Sequence, residues 1–346
     1  MFDISKIRAV LDEASKWDMD YQAFGTEVHL HLLHQPLPLA ELETWEEQEG
    51  VSLPEDYKTY LTCLGNGGAG PDYGLPPFLS PDSEFLRCPC VYSRDQEEAY
   101  RDMICKYRHW ATTDEWELYL EYFPDSPGRD DAQWQETNKK KWSRQLEKCV
   151  KREIWNPMLH NGQMYLANAG CTADLYLILN GSHRGFVHCC DLDSAYGLPA
   201  DFPKYCKKEF MQDFAAYYME YVDKTEDFLR NMPAEKRRRA EWERTQVRDF
   251  LAAMKESDQE GIKLVLAAMG DSRELSKKTR SLIHQYEKPL MTAFPEDKTV
   301  WEFLDGAYGS WNSHGYPNEP ISFREDGGRW RNPRQHFDAF VQTFYD

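Results

Sequence analysis

The sequence predicts an α+β fold: an antiparallel sheet meander flanked by helices, followed by a mainly helical C-terminal region. Three observations carry this expectation. Three short apolar runs, Gln163 to Ala167, Leu175 to Leu179 and Phe186 to Cys190, are separated by Asn168-Ala169-Gly170 and by a loop from Asn180-Gly181 to Gly185, both of turn composition. The segments before and after them repeat apolar residues at helical spacing. The 346 residues are 41% hydrophobic and 14% aromatic, ample for a packed core.

The elements follow in order. After Pro38, Leu39, Leu42 and Trp45 recur at helical spacing among glutamates, and Gly50 closes that helix. Leu53-Pro54-Glu55-Asp56 opens a second, whose apolar face runs through Tyr57, Tyr60, Leu61 and Leu64 to a stop at Gly65-Asn66. Asp95 to Asp131 holds eleven Asp and Glu against four Lys and Arg, interleaved with aromatics. There Trp116, Tyr119, Leu120 and Phe123 suit either a core-facing stripe or apolar anchors inside a charged rim. Lys139 to Arg152 adds seven basic residues, expected to pair internally with the acidic stretch. Leu175-Tyr176-Leu177-Ile178-Leu179 is apolar at both parities, so both faces of this strand should be covered. Beyond Pro203, the residues Phe210, Phe214, Tyr217, Tyr218, Tyr221 and Phe228 are spaced for a long covering helix. After Pro233 a helix should bury Trp242, Val247, Phe250, Leu251 and Met254, and Ile262 to Met269 form another. Asp271-Ser272-Arg273-Glu274 reads as a capping box opening a helix with Leu275, Leu282, Ile283 and Tyr286, and Phe337, Phe340, Val341 and Phe344 make a final helical face.

The net charge is −18 and the pI about 5.0. Residues 1–232 hold 40 acidic and 23 basic residues, and residues 233–346 hold 19 and 18. Met232-Pro233, followed by Lys236-Arg237-Arg238-Arg239, therefore suggests a boundary, with a domain over 1–232 and a separate helical region over 233–346. Such acidity argues against nucleic acid, whose phosphates attract Lys and Arg, and favours a basic partner. No apolar run approaches the roughly 18 residues of a membrane span. Met1-Phe2-Asp3-Ile4-Ser5-Lys6 lacks a secretory pattern, so a cytoplasmic address is expected. Nine irregularly spaced cysteines fit reduced thiols.

Trp45-Glu46-Glu47, Glu49-Gly50-Val51, Leu53-Pro54-Glu55-Asp56-Tyr57, Tyr60-Leu61 and Gly65-Asn66-Gly67-Gly68 resemble the opening helices of the SUKH superfamily. Asp174 to Asn180-Gly181, Arg184-Gly185-Phe186-Val187 and the helix from Glu209-Phe210 to Phe214 resemble the rest of that domain. The matched pieces span roughly residues 38–230, in the family's order of helix, helix, meander and helix. The resemblance implies binding rather than catalysis. Members are mostly bacterial immunity proteins that neutralise nuclease or other toxins, and eukaryotic relatives act as regulatory or scaffold proteins. It implies here a cytoplasmic immunity protein with a cognate, basic toxin domain as partner, or alternatively a scaffold. An enlarged helical insertion at about 91–160, an N-terminal extension and the region after Met232 lie outside the family pattern.

Candidate chemistry is sparse. Gly65-Asn66-Gly67-Gly68-Ala69-Gly70 matches a dinucleotide fingerprint in letters only, since a helix precedes it and Pro71-Asp72 follows. A helix-terminating loop with positive φ is expected instead. His29, His31 and His34 form the one histidine cluster, set between a metal role and a partly exposed edge strand, His29-Leu30-His31-Leu32. Cys88-Pro89-Cys90 with His188-Cys189-Cys190 lacks the usual zinc spacing, and Cys171 with His188 is the residual candidate for a thiol or metal hydrolase. No catalytic, cofactor or metal residue is assigned. The partner-contact candidates are Asp72 and Tyr73 beyond the glycine loop, Trp116, and Asp191 and Asp193 after the third strand.

Overall fold

A computed structural model describes residues 2–23, 25–78, 83–88, 90, 97–155, 160–170, 173–191, 211–309 and 340–345. In chain order the elements are α1 (Ile4–Trp17), α2 (Thr26–His29), α3 (Leu39–Glu49), α4 (Glu55–Thr59, widening into a π turn over Tyr60–Leu64), α5 (Ser83–Leu86), α6 (Glu97–Thr112), α7 (Glu115–Tyr122), α8 (Ala132–Thr137) and α9 (Lys139–Val150). Strands β1 (Gln163–Gly170), β2 (Ala173–Ile178), β3 (Phe186–Asp191) and β4 (Met211–Asp213) follow, then α10 (Phe214–Arg230), α11 (Ala234–Glu256), α12 (Gln259–Met269), α13 (Lys277–Gln285), α14 (Glu287–Ala293) and α15 (Lys298–Gly309). The fold class is α+β with a helical C-terminal region, as the sequence pattern predicts.

The chain divides into two compact units. A sheet unit comprises Leu37–Thr62 and Leu79–Tyr217, and a helical unit comprises Met1–Pro36, Cys63–Phe78 and Tyr218–Asp346. The grouping crosses the composition change at Met232-Pro233. Counted this way, the sheet unit holds 29 acidic and 18 basic residues and the helical unit 30 and 23, so the acidity is shared far more evenly than along the linear chain.

In the sheet unit the four strands are antiparallel in sequential order, with Tyr165 opposite Tyr176 and Tyr176 opposite His188. Leu175 to Leu179 are all buried, as expected of a strand covered on both faces. Asn168-Ala169-Gly170, expected as a turn, instead extends β1 through two irregularities. Asn168 makes this possible: its side chain accepts from the Gly170 amide at 2.9 Å and donates to Asp174 at 2.9 Å. Phe210, expected within the long helix, lies outside the described residues, as do Pro203, Asp95, Cys171, Asp193, Cys206 and Phe337.

The first helix pair, the meander and the start of α10 are tied by side chains. Glu46 accepts from the Leu53 amide at 2.7 Å and from Lys58 at 2.8 Å, setting the turn between α3 and α4. Arg184, in the loop before β3, donates to the carbonyls of Leu53 at 2.7 Å and Ser52 at 3.2 Å. Phe214 wedges its ring against Tyr57 and Tyr60, at centroid distances of 5.1 and 5.7 Å. Asn180 donates to the Cys88 carbonyl and accepts from the Cys90 amide. Arg184→Ala should lower stability by about 1–2 kcal/mol, because charged hydrogen bonds to two carbonyls are lost. A lowered urea midpoint at unchanged slope is the expected reading.

The insertion helices have their own core of Met103, Tyr107, Leu118, Tyr119, Trp142, Leu146, Val150 and Ile154, which includes Ile178 of β2. Asp114 caps α7 by accepting from the Trp116 and Glu117 amides. The expected internal pairing of basic α9 with the acidic stretch is not found. None of Lys139, Lys140, Lys141, Arg144 and Lys148 lies within ion-pair distance of a described carboxylate. The helices are joined by apolar packing and by neutral hydrogen bonds such as Tyr119 to Gln145. These five exposed cations gain more from water than from a screened surface pair, while Arg152, at the end of the basic stretch, pairs with its neighbour Glu153 at 2.7 Å.

In the helical unit Val247, Phe250, Leu251, Ile262, Leu266, Leu282, Ile283 and Leu290 pack with Met19, Tyr21 and Leu30 of the N-terminal segment. Trp242 is not on the buried side: it is 42% exposed, while Ala240, Glu243, Arg244 and Val247 share the inward face. Asp271 caps only a single 3-10 turn, Ser272–Glu274. Leu275 is extended, and Ser276 is the cap of α13, accepting from the Thr279 amide.

Candidate functional site

The exposed face of the helix pair in the sheet unit is strongly acidic. Burial of Leu42 leaves Glu41, Glu43 and Glu47 of α3 in solvent, and Glu55 and Asp56 at the start of α4 are exposed as well. Glu43 and Glu47 are one helical turn apart, on the same side. Pro38 at the start of α3 and Pro54 at the start of α4 set the entry of both helices, and Gly50 ends α3 at φ +61°. This face offers carboxylates to a cationic partner.

The partner-contact candidates are distributed over both units. Trp116 is half-buried among aromatics, 5.0 Å from Tyr119 and 4.9 Å from Trp142 between ring centroids. Asp191 is the last residue of β3. Asp72 and Tyr73 form a tight turn in the helical unit, closed by the Gly74 amide donating to the Pro71 carbonyl at 2.9 Å, with Asp72 at φ +54°.

The glycine loop spends its amides on the protein itself. Asn66 donates to the Gln35 carbonyl, Gly68 to Leu75 and Ala69 to Leu32, while Leu75 returns a bond to Gly68. A Cβ on Gly68, at φ +98°, would meet the Leu32 carbonyl at 2.4 Å, so backbone approach dictates the glycine. Amides already bonded in this way cannot cradle a phosphate. Asn66 adds its side chain, accepting from the Phe78 amide at 2.7 Å.

The histidine cluster is not an edge strand. His29 ends the short helix α2, Leu30 and His31 follow at φ +56° and +57°, and only Leu33 bridges Gly68. Burial of His29 and His31 is the physical reason: an inward turn serves an internal hydrogen-bond network. His31 Nε2 lies 3.0 Å from the Asp18 carboxylate and Nδ1 3.3 Å from the Tyr221 hydroxyl. Burial pushes the Asp18 carboxyl up, but His31 and the amides of Gln22 and Ala23 outweigh it and hold it below the usual range. His29 Nδ1 accepts from the His31 amide, and its Nε2 meets no hydrogen-bond partner among the described residues. His34 points elsewhere, to the Asn66 carbonyl at 3.0 Å. Among the described residues no group of three or more His, Cys, Asp or Glu side chains is arranged to hold a metal ion.

The remaining thiol readings find little geometry. His188 is engaged in the sheet unit, its Nε2 2.6 Å from the side-chain Oε1 of Gln163 and its ring stacked on Tyr176. Cys63, Cys88, Cys90, Cys105, Cys149 and Cys189 are thiols rather than halves of disulfides. No described helix is long and apolar enough to cross a membrane.

These buried histidines have a consequence for stability. Burial pushes His29 well below the usual range and lowers both His34 and His188 to about 4. The unfolded chain then binds more protons than the folded one between about pH 6.5 and 4, so stability should fall as pH falls through that window. The loss should reach roughly 3 kcal/mol for His188 by pH 4 and less for the partly exposed His34. Urea midpoints at stepwise lower pH read this out, and a midpoint constant from pH 7 to 4.5 would contradict it.

Sequence reasoning missed Glu243 and Lys278, each 1% exposed in the helical unit, since apolar periodicity assigns charged residues to the solvated side of a helix. The only available signal was position: Glu243 falls on the same helical face as Val247 and Phe250. No family model matches the chain, and no curated protein or solved structure matches it.

Proposed function

We propose that this chain is a non-enzymatic, cytoplasmic immunity protein of the SUKH type, which captures a cognate bacterial toxin domain by protein–protein contact and blocks it. The order helix, helix, meander and the first turn of α10, tied within the sheet unit by Glu46, Arg184 and Phe214, carries the reading. These are the segments on which the family resemblance rests. The exposed carboxylates Glu43, Glu47, Glu55 and Asp56 favour a basic target such as a nuclease. Charge complementarity raises association rates by roughly 10- to 1000-fold, and rapid capture is what protects a cell from an arriving toxin.

The test is capture of partners from the native organism, identified by mass spectrometry, followed by rescue of growth against the captured protein. Glu43→Lys with Glu47→Lys should slow association about tenfold at low salt and flatten its salt dependence. A captured partner from central metabolism with no toxicity would overturn the immunity reading. A second reading, a regulatory scaffold with an endogenous partner, draws support from the separate core around Val247, Phe250 and Leu282. That core lies outside residues 38–230, on which the family resemblance rests, and the identity of the captured protein separates the two.

A further inference from the structure

The helical unit contains a groove of about 790 Å³ lined by α12, the 3-10 turn after it and α15. Its size is that of a site for a short segment rather than for a single ion. Leu266, Val300 and Phe303 form an apolar floor, and the small, exposed Ala267 leaves it open. The Ser272 hydroxyl braces this floor from within by donating to the Phe303 carbonyl at 2.6 Å. Leu264, on the rim, is 71% exposed, the largest exposure among the big apolar side chains of the described residues.

The charges around the groove are not balanced. Its two cations are already engaged by carboxylates of the same lining. Lys263 pairs with Asp297 at 2.8 Å and lies over the Phe294 ring, and Arg273 holds Asp271 through three hydrogen bonds of 2.7 to 3.1 Å. Glu260 and Glu302 remain. Among the described residues Glu302 pairs with Lys298, at 3.3 Å, in a contact so exposed that it contributes little. Glu260 has no ion pair among the described residues and is exposed on the first turn of α12. An anionic ligand would find every cation occupied, whereas a cation entering the groove meets two carboxylates over an apolar floor.

We propose that this groove docks a short basic segment of a partner protein, with an aliphatic or aromatic anchor seated on Leu266, Val300 and Phe303 and flanking lysine or arginine side chains on Glu260 and Glu302. An apolar centre inside a charged rim is the usual anatomy of such contacts. The inference is independent of the function proposed for the sheet unit, because it uses none of its residues.

The test offers a phage-displayed library of random dodecapeptides to the immobilised full chain. In parallel it is offered to a Glu260→Lys, Glu302→Lys variant, to Ala267→Trp, whose indole should fill the groove, and to a Glu43→Lys, Glu47→Lys variant altered in the sheet unit. All substitutions are at exposed positions, and unchanged urea midpoints show that each variant is folded. Peptides combining an apolar anchor with adjacent lysines or arginines should be enriched on the unaltered chain and on the sheet-unit variant only. Synthetic copies should lose about tenfold or more in affinity for both groove variants. Acidic or purely apolar winners, equal enrichment on the groove variants, or no enrichment on the unaltered chain would overturn the proposal. Equal loss on the sheet-unit variant would also overturn it, by exposing a general attraction of basic peptides to an acidic protein.

Discussion

Replacing Glu243 by leucine is expected to destabilise the helical unit by about 3–5 kcal/mol, the largest loss of any single substitution considered for this chain. Glu243 projects from α11 and is 1% exposed. Both carboxylate oxygens accept from the Ser276 amide at 3.1 Å, one accepts from the Thr279 hydroxyl at 2.6 Å, and the Ser276 hydroxyl donates to it as well. These donors sit at the first turn of α13, where amides have no partners within the helix and the positive end of its dipole favours an anion. Leucine leaves the buried Ser276 amide and the Thr279 hydroxyl without an acceptor, and the Ser276 hydroxyl keeps its 3.0 Å bond to Thr279 Oγ1. Glu243→Gln retains an acceptor and the side-chain shape, so it should lose about 1–2 kcal/mol. Arg239→Ala should cost under about 1 kcal/mol, since its 3.1 Å contact to Glu243 comes from a half-exposed side chain. Urea unfolding of the three variants orders them, and a leucine variant within 1 kcal/mol of the parent would show that the carboxylate does not hold α13.

Glu243 also shows where the sequence stops being readable. Its helix was legible, but apolar periodicity placed Trp242 inside, one position before the glutamate that is actually buried. A carboxylate can occupy a core position only because Ser276 and Thr279, more than thirty residues away, supply its hydrogen bonds, and periodicity carries no record of such partners. The meander was legible for the opposite reason. Leu175 to Leu179 is buried at every position, and a run of that kind between turn residues has few alternatives. β4 escaped because three residues show no periodicity, and Asn168-Ala169-Gly170 misled because asparagine can support an irregular strand as well as a turn. His29 and His31 alternate in sequence as strand residues do. Their local conformation is decided by Asp18 and Tyr221, distant along the chain, and by a left-handed pair that only the structure reveals. The acidic face of α3 was legible because five glutamates fall among eleven residues, more than one short helix can bury, although Glu46 turns inward to Leu53 and Lys58. The groove between α12 and α15 was not, since its floor and rim join residues from two helices and the turn between them.

Lys278→Met should stabilise the chain, and by an amount that depends on pH. Lys278 is 1% exposed in the first turn of α13, where its amide donates to the Met19 carbonyl. Its Nζ donates to the Ser15 carbonyl and lies 4.8 Å from the Phe344 ring centroid and 5.7 Å from that of Phe340. Burial, reinforced by the nearby Arg244 guanidinium and opposed by Asp18, lowers this ammonium to about 7 from 10.5. Below pH 7 the amine is protonated in both states, and burying the charge costs folding about 5 kcal/mol. Between pH 7 and 10.5 the unfolded chain holds a proton that the folded chain has released, so the cost shrinks as pH rises. Methionine has nearly the same length and volume and removes that cost, but it gives up a hydrogen bond of about 1 kcal/mol and cation–π contacts of about 0.5–2 kcal/mol. The variant should therefore exceed the parent by about 2–4 kcal/mol at pH 6, with the advantage declining through pH 8 and vanishing or reversing near pH 10. Comparing the two proteins at each pH cancels every other titrating group. A difference independent of pH would mean that the folded chain holds Lys278 with its ordinary proton affinity, compensated by the two phenyl rings and the Ser15 carbonyl.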